Sequence, residues 1–132
     1  MIYSSKMKVY TDAGSRGNPG KAACAFIVVK DNSIMKEESK FLGIATNNEA
    51  EYNAVILALE NIEGDLDLVS DSELVIKQIN GQYKITKPHL RELYEKVLSL
   101  SKGRKIKFSN ASRENKFISR ADELVNKELD KH

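Results

Sequence analysis

The sequence predicts an α/β protein: one mixed sheet with helices on its faces, in the order βββαβααβα. Three observations carry this expectation. Before residue 45 the chain consists of alternating or apolar runs of strand formers separated by turn residues; from Asn47 the apolar spacing becomes helical; short strand-like runs then recur between helical stretches. A chain of 132 residues, 41% hydrophobic and 30% charged, is long enough to bury one core and too short for two ordinary ones, so residues 1–132 are expected to form a single domain. Only seven Gly and two Pro argue against a disordered or fibrous class.

Residues 7–12 alternate and are rich in strand formers, and they lead into Ala13-Gly14-Ser15-Arg16-Gly17-Asn18-Pro19-Gly20, a run of turn residues. Residues 22–30 read as a largely apolar strand, Asp31-Asn32-Ser33 as a turn, and residues 34–43 as the returning strand, which together make an antiparallel meander. A helix is expected from Asn47 to about residue 63, with Asn47 or Asn48 as N-cap, Glu49 and Glu51 in the first turn, and Gly64 as its stop. Residues 65–70 form a short strand, followed at once by a helical stretch over 72–80 that Gly81 ends. Leu90, Leu93, Tyr94, Val97, Leu98 and Leu100 fall largely on one face of a helix over 88–101, which Gly103 ends. A last strand at 105–109, a polar loop at 110–116 and an amphipathic helix over 118–131 complete the order.

The longest apolar run, residues 22–29, is far too short to cross a bilayer, so no membrane partner is expected. Residues 1–10 carry Lys6 and Lys8 and lack an apolar stretch ahead of a small-residue cleavage site, which fits a cytoplasmic location. The single Cys24 lies inside an apolar run and reads as a small buried thiol. The net charge of +2 hides a segregation: residues 77–120 contain twelve Lys/Arg against three Asp/Glu, a balance of +9, and the remainder sums to −7. The basic segment suits either a polyanion partner or a helix with a solvated Lys face.

Four carboxylates occupy positions that demand explanation. In the 47–63 helix the buried stripe reads Val55, Ala58, Leu59 and Ile62, and one step of four back from Val55 lands on Glu51. Glu49 projects with Asn53 and Glu60 and is expected to be solvated. In the last helix Ile118, Val125 and Leu129 share a stripe with Asp122, while Glu123 and Glu128 fall nearer the polar side. Asp12 closes the first strand, and Asp71 closes the fourth and opens the next helix. Ligands in an open α/β sheet gather outside the carboxyl ends of the strands. If the first and fourth strands are parallel neighbours, both acids share one edge, and helix starts facing that edge deliver the other two. Clustered carboxylates repel unless cations offset them, and an oxygen-only ligand set suits Mg²⁺ or Mn²⁺. Some of the 19 acids fall at strand ends and helix starts by chance. Four in consistent settings mark a candidate polynuclear metal site, though not its substrate.

The runs Tyr10-Thr11-Asp12-Ala13-Gly14-Ser15-Arg16-Gly17-Asn18-Pro19-Gly20, Thr46-Asn47-Asn48-Glu49-Ala50-Glu51, Ser70-Asp71-Ser72-Glu73-Leu74-Val75 and Arg120-Ala121-Asp122-Glu123-Leu124 resemble, in order, the successive motifs of ribonuclease H type 1. The match spans nearly the whole chain. Its form is similar to the short archaeal and bacterial members, with Asn80-Gly81-Gln82-Tyr83-Lys84 leading directly to the Pro88 helix and no inserted basic arm. The resemblance implies a five-stranded mixed sheet, three antiparallel strands followed by two parallel ones. It also implies a monomeric endonuclease that cleaves the RNA strand of RNA–DNA hybrids with two Mg²⁺ or Mn²⁺ ions, leaving 5′-phosphate and 3′-hydroxyl ends. The catalytic and metal-holding acids it implies are Asp12, Glu51, Asp71 and Asp122, with Asp12 bridging both ions. Substrate contacts are implied for Gly14 and Asn18 at RNA 2′-hydroxyls, for Asn47 and Asn48 in the minor groove, and for Thr46 at a phosphate of the DNA strand.

Two departures from the family pattern stand out. Ala13 occupies a position that is commonly Gly, and the 110–116 loop lacks the His that relatives often carry there, since the only two are His89 and His132. Arg113, or less favourably Glu114, is a candidate to contact the phosphate or an outer metal in its place; a plain loop role is the alternative. Gly20-Lys21 is followed by Ala22, and Ser15 stands where the first Gly of a phosphate-binding P-loop is required, which excludes that nucleotide-binding motif. A relative that also cleaves double-stranded RNA, and a non-catalytic hybrid-binding module, are the competing expectations. Binding alone has no need of clustered, mutually repelling carboxylates.

Overall fold

A computed structural model describes residues 7–132; Lys6, part of the charge at the start of the chain, lies outside them. The elements follow in the expected order: β1 (Lys8–Gly17), β2 (Gly20–Lys30), β3 (Ser33–Ala45), α1 (Asn47–Asn61), β4 (Leu66–Ser70), α2 (Glu73–Ile79), α3 (Pro88–Ser101), β5 (Ile106–Asn110) and α4 (Lys116–Asp130). They form one five-stranded sheet in the order β3-β2-β1-β4-β5. The pairs β1–β2 and β2–β3 are antiparallel, and β1–β4 and β4–β5 are parallel.

Alternation along the strands divides the core between the two faces. Val9, Phe26, Val28, Leu66 and Leu68 pack with Tyr52, Val55 and Leu59 of α1, Val75 and Ile79 of α2, and Leu90 and Val97 of α3. On the other face Tyr10, Ala25, Ile27 and Val69 meet Phe117, Ile118, Val125 and Leu129 of α4. Cys24 is fully buried in a third, small-residue cluster beside Ala50 and Ala54, and burial pushes its thiol up to about 12. Among the described residues no helix is long and apolar enough to cross a membrane.

The turn-rich run after Asp12 is mostly strand. Pairing of β1 with β2 continues through Arg16↔Lys21 to Gly17↔Gly20, so only Asn18-Pro19, joined by a cis peptide bond, makes the turn. Glycine is needed there because a Cβ at Gly20 would overlap the Arg16 carbonyl. Turn-type residues mislead where a hairpin closes this tightly. Likewise β3 runs two residues beyond the expected Gly43, to Ala45.

The cap of α1 is Thr46, not Asn47 or Asn48. The Glu49 amide donates to Thr46 Oγ1 at 3.2 Å and the Thr46 amide donates to Glu49 Oε1 at 2.8 Å, a reciprocal capping box. Glu49 is therefore engaged rather than simply solvated, and these bonds to Thr46 hold its carboxyl below the usual range. Ser72 caps α2, which leaves Asp71 one residue outside the helix. Asn115 caps α4 by accepting from the Phe117 and Ile118 amides at 2.9 and 3.2 Å, so that helix begins at Lys116, ahead of its apolar stripe.

Part of the basic segment is consumed by the fold. Arg104 donates to the carbonyls of Gly64 (2.8 Å), Leu59 (3.2 Å), Leu100 (3.2 Å) and Ile62, satisfying acceptors at the ends of α1 and α3. Arg120 makes a two-pronged contact with Glu37 of β3 at 2.6 and 3.1 Å and a further one with Glu123 at 3.0 Å.

Candidate metal centre and nucleic-acid interface

The parallel ladder between β1 and β4 ends at Thr11↔Ser70, and the next residue on each strand is an acid. Asp12 and Asp71 thus leave the carboxyl end of the ladder side by side. Asp12 lies within β1 rather than at its end, because the strand continues on its antiparallel side toward Gly17. Glu51 reaches the same point from the first turns of α1. One carboxylate oxygen from each of Asp12, Glu51 and Asp71 lies within 4.8 Å of the others. Asp122 is outside this tight trio but lines the same cleft as Glu51, together with Gly14, Asn47, Arg113 and Val125. Its charge also acts on Asp12.

Electrostatics at the trio are unfavourable for the protein alone. Asp12 is fully buried, and burial, followed by the neighbouring Asp71 and Asp122 carboxylates, pushes its pKa up to about 8. Burial, then Asp12 and Asp71, raises Glu51 well above the usual carboxyl range. Asp12 Oδ1 and Oδ2, Glu51 Oε1 and Asp71 Oδ1 are all shielded from solvent and accept no hydrogen bond of good geometry, although the nearby Ala13 amide works against the rise at Asp12. Buried carboxylate oxygens without donors are costly in a folded chain, and convergent hard-oxygen donors are what Mg²⁺ or Mn²⁺ takes. The residues present therefore fit a divalent cation.

Arg113 lies at the mouth of this site. Its Nε donates to Asp71 Oδ2 at 3.1 Å, although its own side chain is 74% exposed and that of Asp71 only 8%. The contact with Asp71 raises the pKa of the guanidinium. This is the only positive group hydrogen-bonded to the trio among the described residues, and the loop position alone marked it in the sequence.

The remaining residues singled out by the sequence line the hairpin tip and the start of α1. The Ser15 amide donates to Asn47 Oδ1 at 3.0 Å, and the Asn47 amide donates to Asn18 Oδ1 at 3.0 Å. Both side-chain carbonyls are held by backbone donors, which fixes the orientation of each amide and turns its NH₂ group away from these bonds. Thr46 Oγ1 acts as the helix cap, leaving its hydroxyl proton for another acceptor. Asn48 is half-buried, and Gly14 faces α4, where a Cβ would lie 3.5 Å from Val125 Cγ1.

Parallel strands ending in donorless buried carboxylates, covered on both faces by helices, define an α/β protein with an all-oxygen cation site. Comparison with known proteins places that class more narrowly: residues 4–131 match the RNase H family. The chain belongs to that family. It is 43% identical over 91 residues to Ribonuclease HI of Halobacterium salinarum, covering 65% of this chain and 46% of that protein. It is 36% identical over 132 residues to the bifunctional protein Rv2228c of Mycobacterium tuberculosis, covering 95% of this chain and 36% of that protein. The chain thus spans less than half the length of these two curated relatives. Among solved structures, LC11-RNase H1 in complex with RNA/DNA hybrid superposes with a TM-score of 0.89 at 36% identity, over 96% of this chain and 98% of that one.

Proposed function

We propose that this protein is a ribonuclease H: an endonuclease that hydrolyses the RNA strand of RNA–DNA hybrids, acts as a monomer and leaves 5′-phosphate and 3′-hydroxyl ends. The observation that carries the reading is the set of buried, donorless oxygens of Asp12, Glu51 and Asp71 at the end of the β1–β4 ladder. Asp12, Glu51, Asp71 and, across the cleft, Asp122 would hold two Mg²⁺ or Mn²⁺ ions. When bound, such ions activate the attacking water and stabilise the leaving 3′-oxygen of an in-line displacement at phosphorus.

The chain's own residues position the substrate. With their carbonyls occupied, Asn18 and Asn47 present N–H donors to the 2′-oxygens and minor-groove acceptors that mark an RNA strand. Asn48 and the backbone at Gly14 extend that contact, and Thr46 has a hydroxyl proton to give a phosphate of the DNA strand. Arg113, exposed and tied to the trio only through Asp71, can turn to a phosphate oxygen once cations neutralise the acids. The exposed Lys84 and Lys87 add attraction for the backbone.

A side-by-side assay on labelled hybrid, double-stranded RNA and single-stranded RNA tests the reading. Internal cutting of the RNA strand of the hybrid alone is expected. Equal cutting of double-stranded RNA would favour the broader nuclease, and hybrid binding without cleavage in either metal would favour a binding module. In the same assay Arg113→Ala should lower the rate about tenfold; an unchanged rate would remove its phosphate role.

A further inference from the structure

A buried polar pair that the site chemistry does not use joins α1 to the exposed segment between α2 and α3. Tyr52, the residue after Glu51, is completely buried, and Gln78 is only 5% exposed. The Tyr52 hydroxyl donates to Gln78 Oε1 at 2.8 Å, and Gln78 Nε2 points to the Lys84 carbonyl at 3.4 Å. A buried phenol and a buried amide each need partners, so this pair is satisfied only while all three groups keep their places.

The segment so held, residues 81–87, has no helix or strand and is exposed except for the half-buried Ile85. Its first turn is fixed by the Gln82 and Tyr83 amides, which donate to the Lys77 carbonyl at 2.8 and 3.1 Å. Among the described residues, the tie from Gln78 to Lys84 is the only hydrogen bond made to the rest of the segment before Lys87, the cap residue of α3. Yet this segment carries Tyr83, Lys84 and Lys87, an aromatic ring and two cations facing solvent. Lys77 reinforces the display by lying 4.9 Å from the Tyr83 ring centroid and 3.3 Å from its hydroxyl.

We infer that Tyr52 and Gln78 are positioning residues: they brace the 81–87 segment from beneath at a fixed distance from Glu51, so that Tyr83 and Lys84 meet the nucleic-acid backbone in register with the acidic trio. The inference rests on the hybrid-cleaving function proposed above. Because Tyr52 and Glu51 are consecutive on one helix, the brace couples substrate grip to the metal-holding acids without touching either substrate or metal.

Tyr52→Phe preserves the ring and removes only the donor, and Gln78→Met preserves length while removing both polar ends. Two readouts follow. In the free protein, amide hydrogen exchange at Gln82 and Tyr83, the two hydrogen-bonded amides of the segment, should quicken about tenfold in either variant, with the sheet unaffected. In steady-state cleavage of hybrid, KM should rise about five- to tenfold with kcat within twofold, and the double variant should be no worse than Gln78→Met alone. Unchanged exchange at Gln82 and Tyr83 overturns the brace whether or not the protein cleaves hybrid. Faster exchange with unchanged KM overturns its role in substrate grip, as does a loss of kcat that tracks a lower Tm. A parent protein that fails to cut hybrid refutes the proposed function and with it the grip, while exchange still decides the brace.

Discussion

Asp12→Asn is expected to lower hybrid cleavage by roughly a thousandfold or more while making the metal-free protein more stable. Both effects have one cause. Asp12 lies at the centre of a buried acidic trio, and its carboxyl is pushed up to about 8 from an ordinary value of 3.8. An acid whose pKa is raised by folding destabilises the native state wherever the unfolded chain is ionised. That penalty is absent below about pH 4, grows as pH rises toward about 8, and then levels off. The amide removes the ionisable group, so its gain in stability over the parent should grow across the same window, reaching roughly 5–10 °C in Tm near pH 8 and much less near pH 5. Thermal unfolding in chelator at several pH values checks the sign. A variant that is inactive because it is unfolded, or less stable at every pH, would contradict the account.

The second large effect belongs to the cations. In chelator the parent protein should lose stability as pH rises from about 4 to 8, because Asp12 and Glu51 both resist ionisation in the fold. Addition of Mg²⁺ or Mn²⁺ should reverse the trend, because a cation offsets the repulsion and occupies oxygens that have no donor. At a concentration one hundred times the dissociation constant the gain is about 2.7 kcal/mol. Binding should also release protons at neutral pH, which calorimetry in buffers of different ionisation enthalpy reads directly. In Asp12→Asn the metal-induced rise in Tm should largely disappear. An equal rise in parent and variant would place the ions elsewhere.

The order of strands and helices along the chain was legible because most elements have their own period and a stop, and Glu51 and Asp122 were legible because they interrupt the apolar stripes of their helices. Asp122 interrupts the stripe of Ile118, Val125 and Leu129, all of which are buried in α4. Asp12 and Asp71 follow the last paired residues of neighbouring parallel strands, a position that converts two unrelated sequence sites into one edge. Other features had no such signature. The strand continuing to Gly17 is spelled in turn residues, since a tight hairpin and a loop call for the same amino acids. Arg104 looks like any other member of a basic segment, yet its partners Leu59, Ile62 and Gly64 are at least forty positions away. Tyr52 reads as ordinary core and Gln78 as an ordinary polar helix residue; only the packing of α1 against α2 brings their side chains together.

The division of charge also takes a more specific form in three dimensions. Within the +9 segment, Arg104 and Arg120 serve the fold, and Arg113 serves the acidic site. Lys84 and Lys87, in the exposed connector, keep their charge available for a polyanion.

The most direct measurement is cleavage of an end-labelled RNA–DNA hybrid by the parent protein in chelator, and again after Mg²⁺ or Mn²⁺ is restored. No cutting is expected in chelator and, on restoring either ion, internal cuts confined to the RNA strand with 5′-phosphate and 3′-hydroxyl ends. Cutting that persists in chelator, or an intact hybrid in the presence of both ions, would contradict it.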